Sequence, residues 1–326
     1  MVNQNTNSMQ KVRWGIVGPG KIAHQFANDI RFTSNSKIVA VASNSAERAQ
    51  EFAGKYSIPT AYSDYQSLYE AEDVDLVYVA TTHNFHFENS RDAILKGKGV
   101  LCEKPITDNL ASSLKLFEIA SENKVYLMEA LWTYFLPAIQ KAKEWIQEGK
   151  IGKVINLKSD FGFRKEFDPK SRLYNPELSG GVLLDMGIYP IAMSWYFLGQ
   201  KPEKYNVVMT KAPTGVDYDI NLQLMYPDIT ANLHSSFRAK LSNYAYIVGE
   251  EGYIVLPDFW RASECYLYQG EKVIDQFNDH RKGLGFEFEI EAAANDWQNG
   301  KIESSIMSPA NSIALQELMS EIAAHY

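Results

Sequence analysis

The chain contains little cysteine and no excess of positive charge. Its two cysteines, Cys102 and Cys265, lie so far apart that neither a disulfide framework nor a zinc-ligand spacing can be built from them. This scarcity favours a reduced, intracellular setting. The 32 basic residues are outnumbered by 40 acidic ones, which gives a net charge of −8, and no basic block occurs. The sequence therefore predicts no nucleic-acid partner.

Long hydrophobic runs are also missing. The longest uncharged apolar run covers 15 residues, 186–200, and contains Pro190. A bilayer requires roughly 20 residues, so this run is too short to span one. The first ten residues are polar and lack the apolar core of a signal peptide. We therefore expect a cytoplasmic protein without a membrane partner.

The composition is otherwise that of an ordinary globular protein. Hydrophobic residues make up 45% of the chain and charged residues 22%. At roughly 100–200 residues per domain, a chain of 326 residues predicts two domains, or one large one. Aromatic residues are frequent, at 13% including 19 tyrosines.

The first half of the chain alternates apolar strands with helices. Apolar runs at 11–17, 37–42, 75–80 and 99–102 alternate with helical segments at 21–32, 45–56 and 85–96. Continuous apolar strands joined by helices are typical of a parallel sheet covered on both faces, and right-handed connections make such a sheet doubly wound. We therefore predict an α/β domain at residues 1–129.

The second half is dominated by strands. Apolar and polar residues alternate from Ile220 to Tyr226 and from Asn232 to Arg238, and this period of two is typical of an antiparallel or mixed sheet with one covered face. A helix is expected from Gly180 to about Leu198, and two more helices close the chain. We therefore predict an α+β domain at residues 130–326 that carries a large, mostly antiparallel open sheet.

The helices of this second domain are expected to cover one face of its sheet. Aromatic residues on the strands then make the other face a candidate interface: Tyr226, Phe237, Tyr244, Tyr246, Tyr253, Tyr266 and Tyr268. Exposed aromatic surface of this extent is typical of protein–protein contact. We therefore expect a homodimer that forms through the second sheet.

A dinucleotide-binding turn follows the first strand. Gly18 and Gly20, with Ala23 three residues on, match the fingerprint in which the glycines allow a tight turn and the approach of a pyrophosphate. The turn opens a helix through Lys21 and Ile22, whose free N–H groups favour an anion. Its position between a strand and a helix favours nucleotide binding over a purely structural turn.

The end of the second strand bears on which nicotinamide cofactor binds. NAD sites usually place an acid there to hold the ribose 2′-hydroxyl, but this strand ends in Ser43 and Asn44. Those side chains, with Arg48 one turn into the next helix, suit a 2′-phosphate. The sequence therefore favours NADP, and Glu47 nearby keeps NAD possible.

Two further strand ends carry polar groups. Glu103 and Lys104 directly follow the strand at 99–102, and catalytic groups of open α/β sheets gather at the carboxyl ends of strands. The loop after the preceding strand faces the same crevice and carries Thr81, Thr82, His83, Asn84 and His86. A lone Glu–Lys pair is usually a surface ion pair, but its position here favours a functional role.

A third group lies in the apolar helix of the second half. Asp185 and Tyr189 are four residues apart, so they share one helix face. An acid in so apolar a stretch needs a partner or a cavity. Near a lysine ammonium, this tyrosine is expected to have a lowered pKa and to transfer a proton. Alone, the pair also fits a helix-start carboxylate beside a core tyrosine.

Taken together, these motifs resemble the glucose-fructose oxidoreductase/inositol dehydrogenase family, in its dihydrodiol dehydrogenase-like branch. The resemblance rests on the glycine turn, on Glu103-Lys104-Pro105 about 80 residues later and on the Asp185-to-Tyr189 segment. It extends to residues 129–133, 161–164 and 167–173. Many family members carry histidine where this chain has Tyr189, whereas the tyrosine fits that branch.

The resemblance implies a Rossmann domain followed by a substrate domain, and hydride transfer between an alcohol carbon and a nicotinamide. Lys104, Asp185 and Tyr189 would be the catalytic set, with Trp132, Phe163 and Arg164 around the substrate. Tyr189 would transfer the hydroxyl proton, Lys104 would stabilise the phenolate and the developing alkoxide, and Asp185 would orient Lys104 or a second substrate hydroxyl. Lys104, Glu103 and Trp132 would also contact the cofactor, and no metal is expected.

Several substrates remain compatible with these motifs. The expected substrate is a sugar or a trans-dihydrodiol. An anhydro- or deoxy-sugar ketone and an inositol are alternatives with the same chemistry. A non-catalytic NAD(P)-binding sensor is an alternative of another class, and the presence of all three candidate catalytic residues argues against it.

Overall fold

The computed structural model describes residues 11–325, which fold around two β-sheets. The first sheet has six strands: β1 Val12–Val17, β2 Ser36–Ala42, β3 Thr60–Tyr62, β4 Leu76–Val79, β5 Gly99–Glu103 and β6 Leu127–Ala130. All its pairs are parallel, in the order β3-β2-β1-β4-β5-β6. The prediction of a doubly wound parallel sheet is confirmed, and β3 is a strand that the sequence pattern did not indicate.

Helices join these strands on both faces of the sheet. They are α1 Lys21–Asp29, α2 Ala46–Tyr56, α3 Tyr65–Glu70, α4 His86–Leu95 and α5 Leu110–Asn123. Apolar residues fill β1, β2, β4 and β5 because both faces are covered. The order in which successive strands join the sheet reverses between β1 and β4, and ligands bind at such switch points.

The second sheet is larger and mostly antiparallel. Its strands are β7 Val154–Gly162, β8 Lys204–Lys211, β9 Asp217–Met225, β10 Thr230–Ser236, β11 Ala245–Gly249, β12 Tyr253–Leu256, β13 Glu264–Gln269 and β14 Lys272–Asn278. They run in the order β14-β13-β12-β11-β7-β10-β9-β8. Among the described strands of this second sheet, only β7 and β10 pair in parallel. The predicted α+β sheet is therefore confirmed.

Two helices, α6 Pro137–Gln147 and α7 Ile188–Leu198, pack against this sheet. A π-helical turn, Leu183–Gly187, leads directly into α7. By length and composition the segment Pro176–Leu198 could cross a membrane, but 72% of its most apolar window is buried inside the protein. That burial is typical of a core helix.

The last two helices lie elsewhere than the sequence pattern predicted. Helix α8 Phe286–Gln298 packs on α1 and β2 of the first sheet, and α9 Pro309–Ala323 packs on α5 and α7. The indole of Trp297 packs against the start of β5, 3.1 Å from where a Cβ on Gly99 would lie. The expectation that helices of the second half cover only the second sheet is therefore wrong. The domain division at residue 129 itself stays a prediction.

The uncovered face of the second sheet carries fewer aromatic residues than predicted. Tyr226 and Phe237 are buried, at 6% and 0% exposure. Tyr226 hydrogen-bonds Ser194 of α7, and Phe237 contacts Tyr174 edge-on with ring centroids 5.7 Å apart. The other five tyrosines, from Tyr244 to Tyr268, are half-buried, and Tyr253 stacks on Tyr268 with ring centroids 4.7 Å apart. The aromatic patch is therefore confined to β11, β12 and β13.

Candidate active site

The carboxyl ends of the parallel strands meet the start of α7. Lys104 follows β5 and Trp132 follows β6, whereas Asp185 and Tyr189 come from the helical segment of the second half. Asp217 in β9 accepts a hydrogen bond from the N–H of Leu183 at 2.6 Å, which satisfies the start of that segment. The sheet edge and the helix start therefore bring together groups that are distant in sequence.

The glycine turn has the shape of an anion cradle. Gly18 has a φ of +84°, a conformation that favours glycine, and a Cβ there would lie 3.0 Å from Cγ2 of Thr81. Gly20 begins α1 without a side-chain cap, so the first N–H groups of the helix point into the turn. Lys21 is exposed and Ile22 is half-buried. This geometry fits a dinucleotide phosphate.

The residues at the end of β2 differ in their availability. Ser43 is buried, and its hydroxyl accepts a hydrogen bond from the N–H of Ser45 at 3.2 Å. Asn44 and Arg48 are exposed. Of the three predicted cofactor side chains here, Asn44 and Arg48 are therefore free to meet a ribose phosphate, whereas Ser43 shapes the turn.

The loop after β4 is held by its second histidine. His86 is fully buried, and its ring nitrogens lie 2.8 Å and 3.1 Å from the carbonyl oxygens of Pro105 and Thr81. It therefore ties the two loops together and has no ring nitrogen left for a cofactor.

Thr82, His83 and Asn84 are the remaining polar residues of this loop. The Thr82 hydroxyl donates a hydrogen bond to the side-chain oxygen of Asn84 at 2.8 Å. Burial lowers the pKa of His83, and the charge of Lys104 lowers it further.

Glu103 lies beneath the site and does not face the crevice. Its two carboxylate oxygens accept hydrogen bonds from the Tyr78 hydroxyl at 2.5 Å and from the N–H of Lys104 at 3.2 Å. Burial raises the pKa of Glu103, although these hydrogen bonds and the Lys104 charge oppose the rise. Glu103 therefore supports the Lys104 backbone, and its contact with the cofactor stays a prediction.

Asp185 joins two cations. The Lys104 ammonium donates to the backbone carbonyl of Asp185 at 2.6 Å and lies 3.7 Å from its carboxylate. The Arg172 guanidinium donates twice to the same carboxylate oxygen, at 3.0 and 3.1 Å. Lys104 and Asp185 are largely buried, with side chains 10% and 14% exposed, whereas Arg172 is 48% exposed. The pairing of Lys104 with Asp185 is therefore present in the structure.

The charges of this cluster control its protonation. Burial alone would raise the pKa of Asp185, but Lys104 and Arg172 outweigh it and lower that pKa. Burial lowers the pKa of Lys104, and the carboxylates of Asp185 and Glu103 oppose that effect. The cluster therefore holds an ionised aspartate beside an ammonium whose proton is easier to lose than in water.

Tyr189 completes the cluster. Its hydroxyl accepts a hydrogen bond from the indole N–H of Trp132 at 3.1 Å. The Lys104 ammonium lies over the tyrosine ring, 5.1 Å from its centroid. Burial raises the pKa of Tyr189 well above its ordinary value, and the charge of Glu103 adds to the rise. The expectation of a lowered tyrosine pKa is therefore wrong, because burial outweighs the nearby ammonium. This tyrosine is therefore a protonated acid that an ammonium and an indole hold in place.

Aromatic rings form one wall of the pocket. Phe161 at the end of β7 contacts Tyr189 edge-on at 5.3 Å, and Phe163 lies next to Phe161 at 5.6 Å. Trp260 packs against Phe161 at 5.2 Å, and its backbone carbonyl accepts a hydrogen bond from Thr133 at 2.7 Å. The planes of Phe161 and Phe163 cross at 81° and those of Phe163 and Trp260 at 89°, so the rings form an apolar corner beside the polar groups.

Sequence reasoning missed Arg172 and Trp260. Arg172 lies in an irregular segment between β7 and the π-helical turn, and only its place in the 167–173 stretch marked it. Trp260 lies in a short turn after β12 that has no periodic pattern. Arg164 is exposed beyond the end of β7, and its predicted substrate contact stays a prediction.

The arrangement is suited to moving a proton and a hydride. An acidic hydroxyl, an ammonium and a carboxylate lie beside the turn that fits a dinucleotide. Cofactors of that kind supply hydride chemistry, while the protein supplies position and electrostatics.

The comparisons with known proteins agree with this arrangement. Residues 12–131 match the model of the oxidoreductase family with an NAD-binding Rossmann fold, and residues 139–255 match the GFO/IDH/MocA C-terminal domain. The chain is 33% identical over 323 residues to trans-1,2-dihydrobenzene-1,2-diol dehydrogenase of Mus musculus, covering 95% of each chain. It is 35% identical over 320 residues to the enzyme of the same name from Danio rerio, again covering 95% of each.

Solved structures share the fold. KijD10, a 3-ketoreductase from Actinomadura kijaniata in complex with NADP and TDP-benzene, superimposes with a TM-score of 0.85 at 24% identity, over 97% of this chain and 98% of that one. Levoglucosan dehydrogenase, in complex with NADH and L-sorbose, gives a TM-score of 0.85 at 20% identity, over 97% and 96%. At these identities the likeness shows the fold alone.

The full-length relatives and the two matched domains lead to one conclusion. The chain belongs to the GFO/IDH/MocA family and is an NAD(P)-binding oxidoreductase.

Proposed function

We propose that the protein transfers hydride between a nicotinamide cofactor and a secondary alcohol or ketone of a sugar or trans-dihydrodiol. The observation that carries the proposal is the cluster of Lys104, Asp185 and Tyr189 at the carboxyl edge of the first sheet. A buried hydroxyl next to an ammonium is suited to giving or taking a proton as hydride moves. The apolar corner formed by Phe161, Phe163 and Trp260 suits the carbon skeleton of a small ring.

Each residue has a distinct role in this mechanism. The cofactor supplies or takes the hydride when it is bound. In the reductive direction the O–H bond of Tyr189 breaks and its proton moves to the substrate oxygen, which becomes a hydroxyl. Lys104 stabilises the negative charge that grows on the two oxygens. Asp185 holds Lys104 in place through its backbone carbonyl at 2.6 Å and its carboxylate at 3.7 Å.

The names of similar proteins support this range of substrates. The relatives at about a third identity are dihydrodiol dehydrogenases, and the two structures described above are a sugar 3-ketoreductase and a levoglucosan dehydrogenase. A dihydrodiol and a sugar both present adjacent hydroxyls on a ring. The aromatic wall and the Asp185 carboxylate are compatible with either.

A substrate panel tests the proposal. We expect turnover of trans-dihydrodiols or aldoses, measured by the change in NADPH absorbance. A protein that oxidises inositols alone is not expected. Lys104→Ala is expected to lower kcat by about 100-fold or more, because one preorganised donor contributes that much to charge stabilisation. Lys115→Ala, which removes an exposed lysine paired with Glu118 on α5, serves as the control.

Two outcomes contradict this proposal. Unchanged turnover in Lys104→Ala means that the cluster is not catalytic. Tight NADP binding by the unmodified protein, with no turnover of any substrate in the panel, favours the sensor alternative.

We propose that the cofactor's pyrophosphate lies against the turn of Gly18 and Gly20. A Cβ at Gly20 has no neighbour closer than 3.9 Å, so alanine fits the empty turn but occupies the space that a phosphate needs. Gly20→Ala is therefore expected to keep its thermal stability and to bind NADP about tenfold or more weakly in a fluorescence titration.

Gly18→Ala is the informative contrast. Its φ of +84° and the 3.0 Å contact predict a loss of stability as well as of affinity. Unchanged NADP affinity in a folded Gly20→Ala protein rules out this placement of the pyrophosphate.

We propose that NADP is preferred to NAD. Asn44 and Arg48 are exposed at the tip of β2, where the adenosine ribose lies in this fold, and no acid stands at the strand end. Arg48→Ala is expected to raise the KM for NADP about tenfold and to leave the KM for NAD unchanged, since only NADP carries the 2′-phosphate. Equal effects on both cofactors rule out this contact.

We propose a homodimer through the aromatic half of the open sheet. Tyr246, Tyr253 and Tyr268 lie half-buried on adjacent strands of that face. Light scattering is expected to give twice the 36.9 kDa mass of the chain. Tyr253→Arg is expected to produce monomers, because it places a charge within the patch. Val208→Arg, at an exposed position on β8, is the control, and a monomeric unmodified protein contradicts the proposal.

A further inference from the structure

We infer that Trp132 is a positioning residue for proton transfer: its indole N–H holds the hydroxyl oxygen of Tyr189 and stabilises negative charge on it. The inference rests on the proposed function, in which Tyr189 is the acid. It adds a role that Lys104 does not fill in this structure.

The hydrogen bond determines where the tyrosine proton points. The indole nitrogen of Trp132 lies 3.1 Å from the Tyr189 oxygen, and the two residues are 3% and 7% exposed. An indole N–H only donates, so the tyrosine oxygen accepts it and keeps its own proton for another acceptor. Within residues 11–325 the hydroxyl makes no second hydrogen bond. Its proton is therefore available to a substrate oxygen.

Lys104 does not provide this contact. Its ammonium donates to the backbone carbonyl of Asp185 at 2.6 Å, and it lies 5.1 Å from the centroid of the Tyr189 ring. It attracts the ring and favours a negative tyrosine through charge. The direct hydrogen bond to the reacting oxygen comes from Trp132.

The indole itself is rigidly placed. Phe286 at the start of α8 stacks on Trp132 with ring centroids 4.4 Å apart and planes 23° apart, and Trp260 contacts it edge-on at 5.8 Å. The backbone at Gly285 leaves no room behind it, since a Cβ there would lie 3.3 Å from the indole. A donor held this way requires no reorganisation when charge appears on its acceptor.

The charge balance explains why this donor matters. In reduction, hydride adds to the substrate carbon and the Tyr189 proton moves to the substrate oxygen, which leaves a phenolate. Burial and the charge of Glu103 oppose that phenolate, because both raise the pKa of Tyr189, whereas the Trp132 hydrogen bond lowers it. The N–H···O contact becomes charge-assisted and stronger as the proton leaves.

Trp132→Phe tests the inference because it keeps the stacked ring and removes the N–H. We expect kcat to fall by about 10- to 100-fold. In a plot of kcat against pH, one limb reports the ionisation of Tyr189; we call it the pH limb. It is expected to move to higher pH in both directions of the reaction, because loss of a donor to the phenolate raises the pKa of the phenol.

Trp260→Phe is the matched control. Trp260 belongs to the same aromatic wall, but its indole nitrogen is buried without a hydrogen-bond partner. Its replacement is expected to change the KM for substrate and to leave the pH limb in place. Tyr189→Phe is expected to abolish turnover.

The outcomes separate this inference from the proposed function. Trp132→Phe with an unmoved pH limb overturns the role of the indole, even if KM rises, while an inactive Tyr189→Phe still supports the catalytic cluster. Full activity of Tyr189→Phe overturns both. If Trp132→Phe fails to fold, Phe286→Leu is the deciding variant, because it removes the ring that stacks on the indole. A less firmly held indole is expected to shift the pH limb in the same direction by a smaller amount. An unshifted limb in Phe286→Leu overturns the inference.

Discussion

The contact between Lys104 and Asp185 is the constraint on which the site depends. The two residues are 81 positions apart, and one belongs to the edge of the first sheet while the other begins the central helix of the second half. Neither charge is stable alone in so apolar a surrounding, because an unpaired buried ion costs several kcal/mol. The two halves of the protein must therefore close on each other for either charge to be accommodated. The geometry of the site follows from that closure.

The supporting groups show how the protein tolerates this concentration of charge. Arg172 approaches Asp185 from the solvent side, whereas Glu103 approaches Lys104 from below through a backbone N–H. Tyr78 in turn donates to Glu103 from β4. Each charged group has a partner from a different segment, so the cluster fixes the relative position of several loops at once. Such fully connected polar networks favour a single arrangement.

Much of the fold could be predicted from the sequence. The alternation of buried strands and helices in residues 11–130 indicated the parallel sheet, since apolar runs covered on both faces have few other interpretations. The strand β3 was missed because it is only three residues long and carries no fully buried residue. Tyr226 and Phe237 were wrongly assigned to the open face, although each continues the period of two of buried residues in its strand, Leu222 and Leu224 in β9 and Leu233 and Ser235 in β10.

The site was predictable where a motif carried it and not where only tertiary packing did. Lys104 and the glycine turn stand at strand ends, which a sequence reveals. His86 and Glu103 lie at strand ends as well, but their side chains turn inward to carbonyl and hydroxyl groups that no local pattern discloses. Arg172 and Trp260 belong to irregular segments, and the structure alone brings them to the site.

The packing of α8 has a consequence for how the chain becomes a protein. Residues of this helix and its flanks bond back to the first sheet, as in the contacts of Glu291 with Ser34 and of the Leu127 N–H with the carbonyl of Ile302. During synthesis, the cofactor half therefore keeps part of its apolar surface uncovered until residues 286–302 have left the ribosome. Side chains of β1, α8 and α9 share one hydrophobic core.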